Sequence, residues 1–180
     1  NLQNGFVRLN DDGSLVLEDH SPRHLQRNII KCNWLPDITE EFTGYTRVLL
    51  DGCFGESGTE LQNLLLEIIG VAILGVSTRM KAPKGVVFFG ATASNGKSTI
   101  LSLIRLILPQ SATCSIPPSD FEREQSLATL VGKTANLTDE ISNHKFIASD
   151  KMKSLITGDI VAAKVIYQPV FNFKPIATHI

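Results

Sequence analysis

Hydrophobic and polar positions change their period several times along this chain. Residues 5–9 and 14–18 alternate in the two-residue rhythm of half-buried strands. Between them Asn10-Asp11-Asp12-Gly13 supplies turn chemistry, which predicts a β-hairpin. A poorly periodic stretch with Trp34 and Pro36 follows. Residues 38–50 and 59–78 then space apolar side chains three and four apart, predicting two helices, the second long and either interrupted or tightly packed at Gly70 and Gly75. Its most apolar part, residues 64–76, contains Glu67 and is shorter than the roughly 20 residues that span a bilayer, so it predicts a buried helix.

Beyond the polar connector Met80-Lys81-Ala82-Pro83-Lys84 the pattern changes abruptly. Gly85-Val86-Val87-Phe88-Phe89-Gly90 is continuously apolar, as in a short strand buried on both faces of a parallel sheet. Residues 98–108 predict an apolar helix stopped by Pro109, and residues 120–131 a helix with Ser119 as N-cap. Residues 133–138 predict a strand, 149–157 a helix ended by Gly158, and 160–173 a β-hairpin region. Strands alternating with helices give an α/β layer order. The connector divides the chain into a small mixed hairpin-plus-helices segment, residues 1–82, and an α/β core, residues 83–180.

The junction Ala91-Thr92-Ala93-Ser94-Asn95-Gly96-Lys97-Ser98-Thr99 joins the apolar strand to the next helix, the context a phosphate-binding loop requires. Backbone N–H groups from Ala93 to Thr99 would converge on phosphate at the helix N-terminus. Lys97 would bridge the β- and γ-phosphates, the Ser98 hydroxyl would ligate Mg²⁺, and Thr99 would reach the α-phosphate. ATP with Mg²⁺ is therefore the expected ligand. The strict spacing places the first glycine at position 91, where Ala91 stands, and the glycine present is Gly90. The bland alternative is a glycine-containing turn with a solvated lysine.

Such a loop needs a carboxylate-bearing strand, and Asp139-Glu140 after residues 133–138 is the candidate. Asp139 would act on the metal through its water shell, and Glu140 would polarise the attacking water. Taken alone, the same dipeptide is an ordinary solvated helix start. The strand before it, with Thr134, Asn136 and Thr138, is more polar than is usual for such a pair.

Composition narrows the partners. With 43% hydrophobic residues, the 180-residue chain has material for a proper core, and a net charge of −1 with a pI near 6.5 leaves no global basic field, so any nucleic-acid contact must be local. Cys32, Cys53 and Cys114 are odd in number and lack paired spacing, as expected of reduced, packed thiols in a cytoplasmic protein. His20, His24, His144 and His179 have no ligand spacing and read as structural or exposed. No signal peptide opens the chain. The first residue is not Met, and the last stretch stops inside an apolar, strand-like run, the pattern expected of an excised segment.

The chain resembles the superfamily 3 helicases, and within them the primase-helicase branch of phages, plasmids and poxviruses. The resemblance is carried by Phe89-Gly90, by Ser94-Asn95-Gly96-Lys97-Ser98-Thr99, and by Leu130-Val131-Gly132-Lys133 leading to Asp139-Glu140. It continues through Lys153-Ser154-Leu155-Ile156-Thr157-Gly158-Asp159 and the run from Tyr167 to Pro175, and the opening Asn4-Gly5-Phe6 is similar to the segment that precedes the helicase core. The resemblance implies an AAA+-like P-loop ATPase core, incomplete here, and a DNA helicase that hydrolyses ATP during replication. It also implies a homo-oligomeric ring, usually a hexamer, that moves 3′ to 5′ along single-stranded DNA, is linked to a primase and works in the cytoplasm, that of the host where viral.

In that family a hairpin projects into the ring channel, which points to Lys164, Tyr167 and Lys153 as DNA contacts. A lysine attracts phosphate without regard to sequence and an aromatic ring gives a stacking surface. An ordinary hairpin lysine and a core-edge aromatic are the alternatives for Lys164 and Tyr167. The family's γ-phosphate-sensing asparagine and arginine finger follow the strand at 175–180, and neither occurs before Ile180, so this segment alone is expected to be inactive. Two other readings stay open. A P-loop kinase of a small molecule would want an arginine-rich lid, whereas Arg79, Arg105 and Arg123 are scattered. A non-catalytic nucleotide-binding assembly or DNA-docking module would use residues 1–81 as a collar.

Overall fold

The structure, a computed structural model, describes residues 1–25, 28–36, 44–55, 58–90, 94–139 and 150–180. The predicted hairpin forms from β1 (Phe6–Leu9) and β2 (Leu15–Glu18), antiparallel with Phe6 opposite Glu18 and Leu9 opposite Leu15. Its turn is held by the Asp12 carboxylate, which accepts from the Ser14 N–H at 2.9 Å, as turn aspartates do. His24 stacks on Phe6 and reaches Glu18 at 3.1 Å. The stretch around Trp34 returns to this unit through Asn4, whose amide donates to the Trp34 C=O and accepts from its N–H.

Helix α1 (Gly44–Phe54) runs past the expected end at residue 50; residues 38–43 of that predicted helix lie outside the described residues. Helix α2 (Thr59–Leu74) stops short of residue 78, because Gly75 takes a left-handed conformation at φ 62° and returns its N–H to Val71. Gly70 neither interrupts the helix nor packs tightly, since open space surrounds its Cα, whereas a Cβ on Gly75 would lie 3.0 Å from Thr134. A 3₁₀ turn over Ser77–Arg79 follows. Among the described residues no single helix is long and apolar enough to cross a membrane.

The central sheet is parallel, in the order β3 (Thr113–Cys114), β4 (Ala135–Asn136), β7 (Thr178–His179), with Thr113 opposite Ala135 and Ala135 opposite Thr178. Backbone bonds carry the β4 pairing from Thr134 to Thr138, so the predicted strand at 133–138 is realised. Residues 85–90 are a correction. They form no assigned strand and donate one sheet bond, from Val86 N–H to His179 C=O at 2.8 Å. With β7 on one side and no backbone partner on the other among the described residues, Val87 and Phe89 remain 55% and 91% exposed, so the run is an edge rather than a doubly buried strand.

Helix α3 (Lys97–Ile107) ends before Pro109 as expected. The helix predicted over 120–131 is reduced to α4 (Glu124–Ala128), and Ser119 is not its N-cap. Pro117 and Pro118 fix the backbone at this point, and Ser119 sits inside the 3₁₀ turn Pro118–Asp120. Helix α5 (Asp150–Thr157) ends at Gly158, whose Cα lies against Thr78. The hairpin expected over 160–173 forms from β5 (Val161–Ala163) and β6 (Phe171–Phe173).

Two apolar clusters cover the two faces of the sheet. On one, Leu50 of α1 and Leu65, Ile69 and Ala72 of α2 meet Ile100 and Ile104 of α3 over Ala135 and Leu137. On the other, Phe121, Leu127, Leu155 and Val161 pack with Ala177. The alternation of β4 sends Ala135 and Leu137 to the first cluster and Asn136 away from it. The architecture is mixed α/β. Each fully buried leucine contributes roughly 1.5–3 kcal/mol, so the first cluster binds α1 and α2, from the segment 1–82, to elements beyond residue 83.

Candidate functional site

The loop leading into α3 turns through two left-handed residues, Ser94 at φ 57° and Gly96 at φ 82°. A non-glycine residue there is strained by roughly 1–2 kcal/mol, and the turn it makes delivers Lys97 as the first residue of the helix. Gly96 is the N-cap and makes no side-chain cap bond, and the exposed Ser98 and Thr99 stand in the first turn of this 11-residue helix. Positive potential at a helix N-terminus makes this a place for an anion.

Close approach explains both glycines. A Cβ on Gly96 would run into the Cys53 thiol of α1. A Cβ on Gly90 would run into the Asn95 amide and lie 3.2 Å from Lys97 Nζ. Lys97 Nζ donates to Asn95 Oδ1 at 2.5 Å. Gly90 therefore meets the working end of the loop itself, one residue earlier than the strict spacing places it. Ala91, Thr92 and Ala93 lie outside the described residues.

Asp139 follows β4 and is exposed, as a strand-end carboxylate should be. Its partner was not foreseen. Arg105 of α3 donates from both terminal nitrogens to the two carboxylate oxygens, each at 3.0 Å, and also to the Leu137 C=O at 3.2 Å. This fork is the strong form of an arginine–carboxylate pair. Ser98 and Arg105 lie seven residues apart, on one stripe of the helix. Glu140 lies outside the described residues, and among those described no three His, Cys, Asp or Glu gather to hold a metal. Arg123 pairs with Asp120, at 3.4 Å.

Of the proposed DNA contacts, Tyr167 stands fully exposed at the tip of the β5–β6 hairpin, in a left-handed turn at φ 64°. It is not at a core edge. Lys164 is half-buried beside it, with its N–H donating to the Glu124 C=O, and Lys153 is exposed on α5. The three cysteines are free thiols; Cys32 is exposed rather than packed, and burial pushes the pKa of Cys53 up and that of Cys114 to about 12. His20 and His24 make surface contacts, His179 is buried, and His144 lies outside the described residues.

Residues 88–180 match the model of a family of unknown function, DUF5906. The matched span takes in the loop, Asp139 and the hairpin. No curated protein matches the chain.

Proposed function

The chain belongs to the DUF5906 family, whose match covers more than half its length, and we propose that it is the ATP-binding core of a DNA helicase of the superfamily 3, primase-helicase type. The observation that carries the reading is the N-terminus of α3, entered through the left-handed Ser94 and Gly96, with Lys97 folded back over Asn95 and Gly90. A lysine, two hydroxyls and the N–H groups of a first helical turn at one helix end suit a triphosphate. Placement supports it too. In open parallel sheets ligands bind outside the carboxyl ends of the strands, and Asp139 follows the carboxyl end of β4.

In this reading the N–H groups of Ala93 to Thr99 hold the phosphates, Lys97 neutralises the β- and γ-oxygens, and Thr99 reaches the α-phosphate. The Ser98 hydroxyl and, through water, Asp139 would hold Mg²⁺, a hard cation that suits oxygen donors. Mg²⁺ supplies charge neutralisation of the phosphoryl oxygens. Glu140 draws the proton from the attacking water. Lys164, Tyr167 and Lys153 face single-stranded DNA in a hexameric, cytoplasmic ring coupled to a primase.

Phosphate release by the intact protein, with and without single-stranded DNA, tests this reading. DNA should raise the rate several-fold, and Glu140→Gln should keep ATP binding while losing on the order of 10²–10⁴ in turnover, the usual size of a general-base contribution. A rate indifferent to DNA overturns the helicase assignment, and full turnover in Glu140→Gln places the catalytic base elsewhere.

A further inference from the structure

A cavity of ≈ 360 Å³ opens between the α1–α2 pair and the edge segment 85–90, and Lys97 and Asn95 form its polar end. Cys53, Phe54, Leu61, Leu64, Phe88 and Phe89 make its apolar walls. Its size falls within the roughly 300–1,000 Å³ typical of small-molecule sites, and its lining matches them too, mostly apolar with a few placed polar groups.

We propose that this cavity seats the adenine base of the nucleotide whose phosphates rest on the loop at Ser94 to Thr99, a proposal that rests on the phosphate-loop reading. Continuity is the first argument, because Lys97 and Asn95 belong to the loop and to the cavity alike. The second is backbone chemistry. Val86 spends its N–H on His179, while the N–H and C=O groups of Val87, Phe88 and Phe89 have no backbone partner among the described residues. Free donors and acceptors on this segment match adenine, whose pairing edge presents a donor amine beside an acceptor nitrogen. Guanine would offer two adjacent donors that want a carboxylate, and no wall residue is acidic. The third is apolar exposure. Leu61, Leu64 and Phe89 are 53%, 50% and 91% exposed around this opening, and a flat heteroaromatic ring laid against them removes that surface from water.

Calorimetry on the whole chain with Mg–ATP and with Mg–tripolyphosphate separates base from phosphates. The wild type should bind ATP at least roughly ten-fold more tightly than tripolyphosphate, a difference of about 1.4 kcal/mol. Phe89→Ala and Leu64→Trp, both at exposed positions, should each remove about that factor for ATP and leave tripolyphosphate binding unmoved, which also shows that they fold. Lys97→Ala should weaken both ligands. Equal wild-type affinity for the two ligands, or ATP affinity unmoved in both wall variants, overturns the base seat and leaves the loop standing. GTP bound as tightly as ATP overturns the choice of adenine. Failure of the wild type to bind either ligand overturns the phosphate loop and the base seat with it.

Discussion

Asn136 sits in the middle of the sheet, 2% exposed, where a strand before an acidic pair is ordinarily apolar. Its amide accepts from the Ile116 N–H at 2.7 Å and donates to the Ile116 C=O at 2.9 Å, so a side chain continues the pairing that β3 and β4 begin. The polarity that set residues 133–138 apart thus has a structural purpose that spacing alone cannot reveal. Asn136 Nδ2 also lies 3.3 Å from His179 Nδ1, a contact that wants a neutral ring. Burial holds the His179 pKa down to about 4, against about 6.5 in an unfolded chain. The folded state therefore binds the proton more weakly, and stability present above pH 6.5 is lost as pH falls toward 4. Between pH 7 and 4.5 His179 should account for a loss on the order of 2–3 kcal/mol. Urea midpoints across that range would show it, with a flatter profile for His179→Gln, and parallel profiles for the two proteins would remove His179 as the cause. Histidine spacing gave no sign of this burial.

At the scale of elements, legibility followed how local the deciding interactions are. The β1–β2 hairpin was readable because alternation and turn residues lie within its own 13 or so positions, and the start of α3 because Gly96-Lys97-Ser98 states it directly. The segment 85–90 differs from the doubly buried strand its pattern predicts, because an apolar run does not reveal whether both its faces will find neighbours, and here Phe89 does not. The helix over 120–131 is shorter than its spacing predicts because Pro117-Pro118 impose a 3₁₀ turn where that pattern begins. The β5–β6 hairpin was legible as an element, and its tip exposes Ile166 and Tyr167 together. If this tip grips single-stranded DNA, Tyr167→Ala should cost roughly 1–3 kcal/mol of DNA affinity through lost stacking. Lys164→Ala should reduce the slope of log affinity against log salt by about 1. Anisotropy titrations at several salt concentrations measure both, and unchanged affinity and slope in the two variants would remove the hairpin from the DNA path.

Across the whole molecule, the α/β layering was legible from the order of periods, but the use made of the N-terminal helices was not. Leu50, Leu65 and Ile69 reach over residue 83 to share a core with α3, and Cys53 rests on Gly96 itself. Contacts between residues so far apart in sequence leave no periodic trace, so the support that α1 and α2 give the loop emerges only from the fold. The Arg105–Asp139 fork is hidden in the same way, because its partners lie on different elements. Everything proposed for this molecule depends on the loop being a phosphate site. The most direct test is calorimetry of Mg–ATP binding to the wild type and to Lys97→Ala. Loss of the charge-assisted bonds should weaken binding by roughly 1.5–3 kcal/mol, about 10- to 150-fold. Equal affinity in the two proteins would contradict the account.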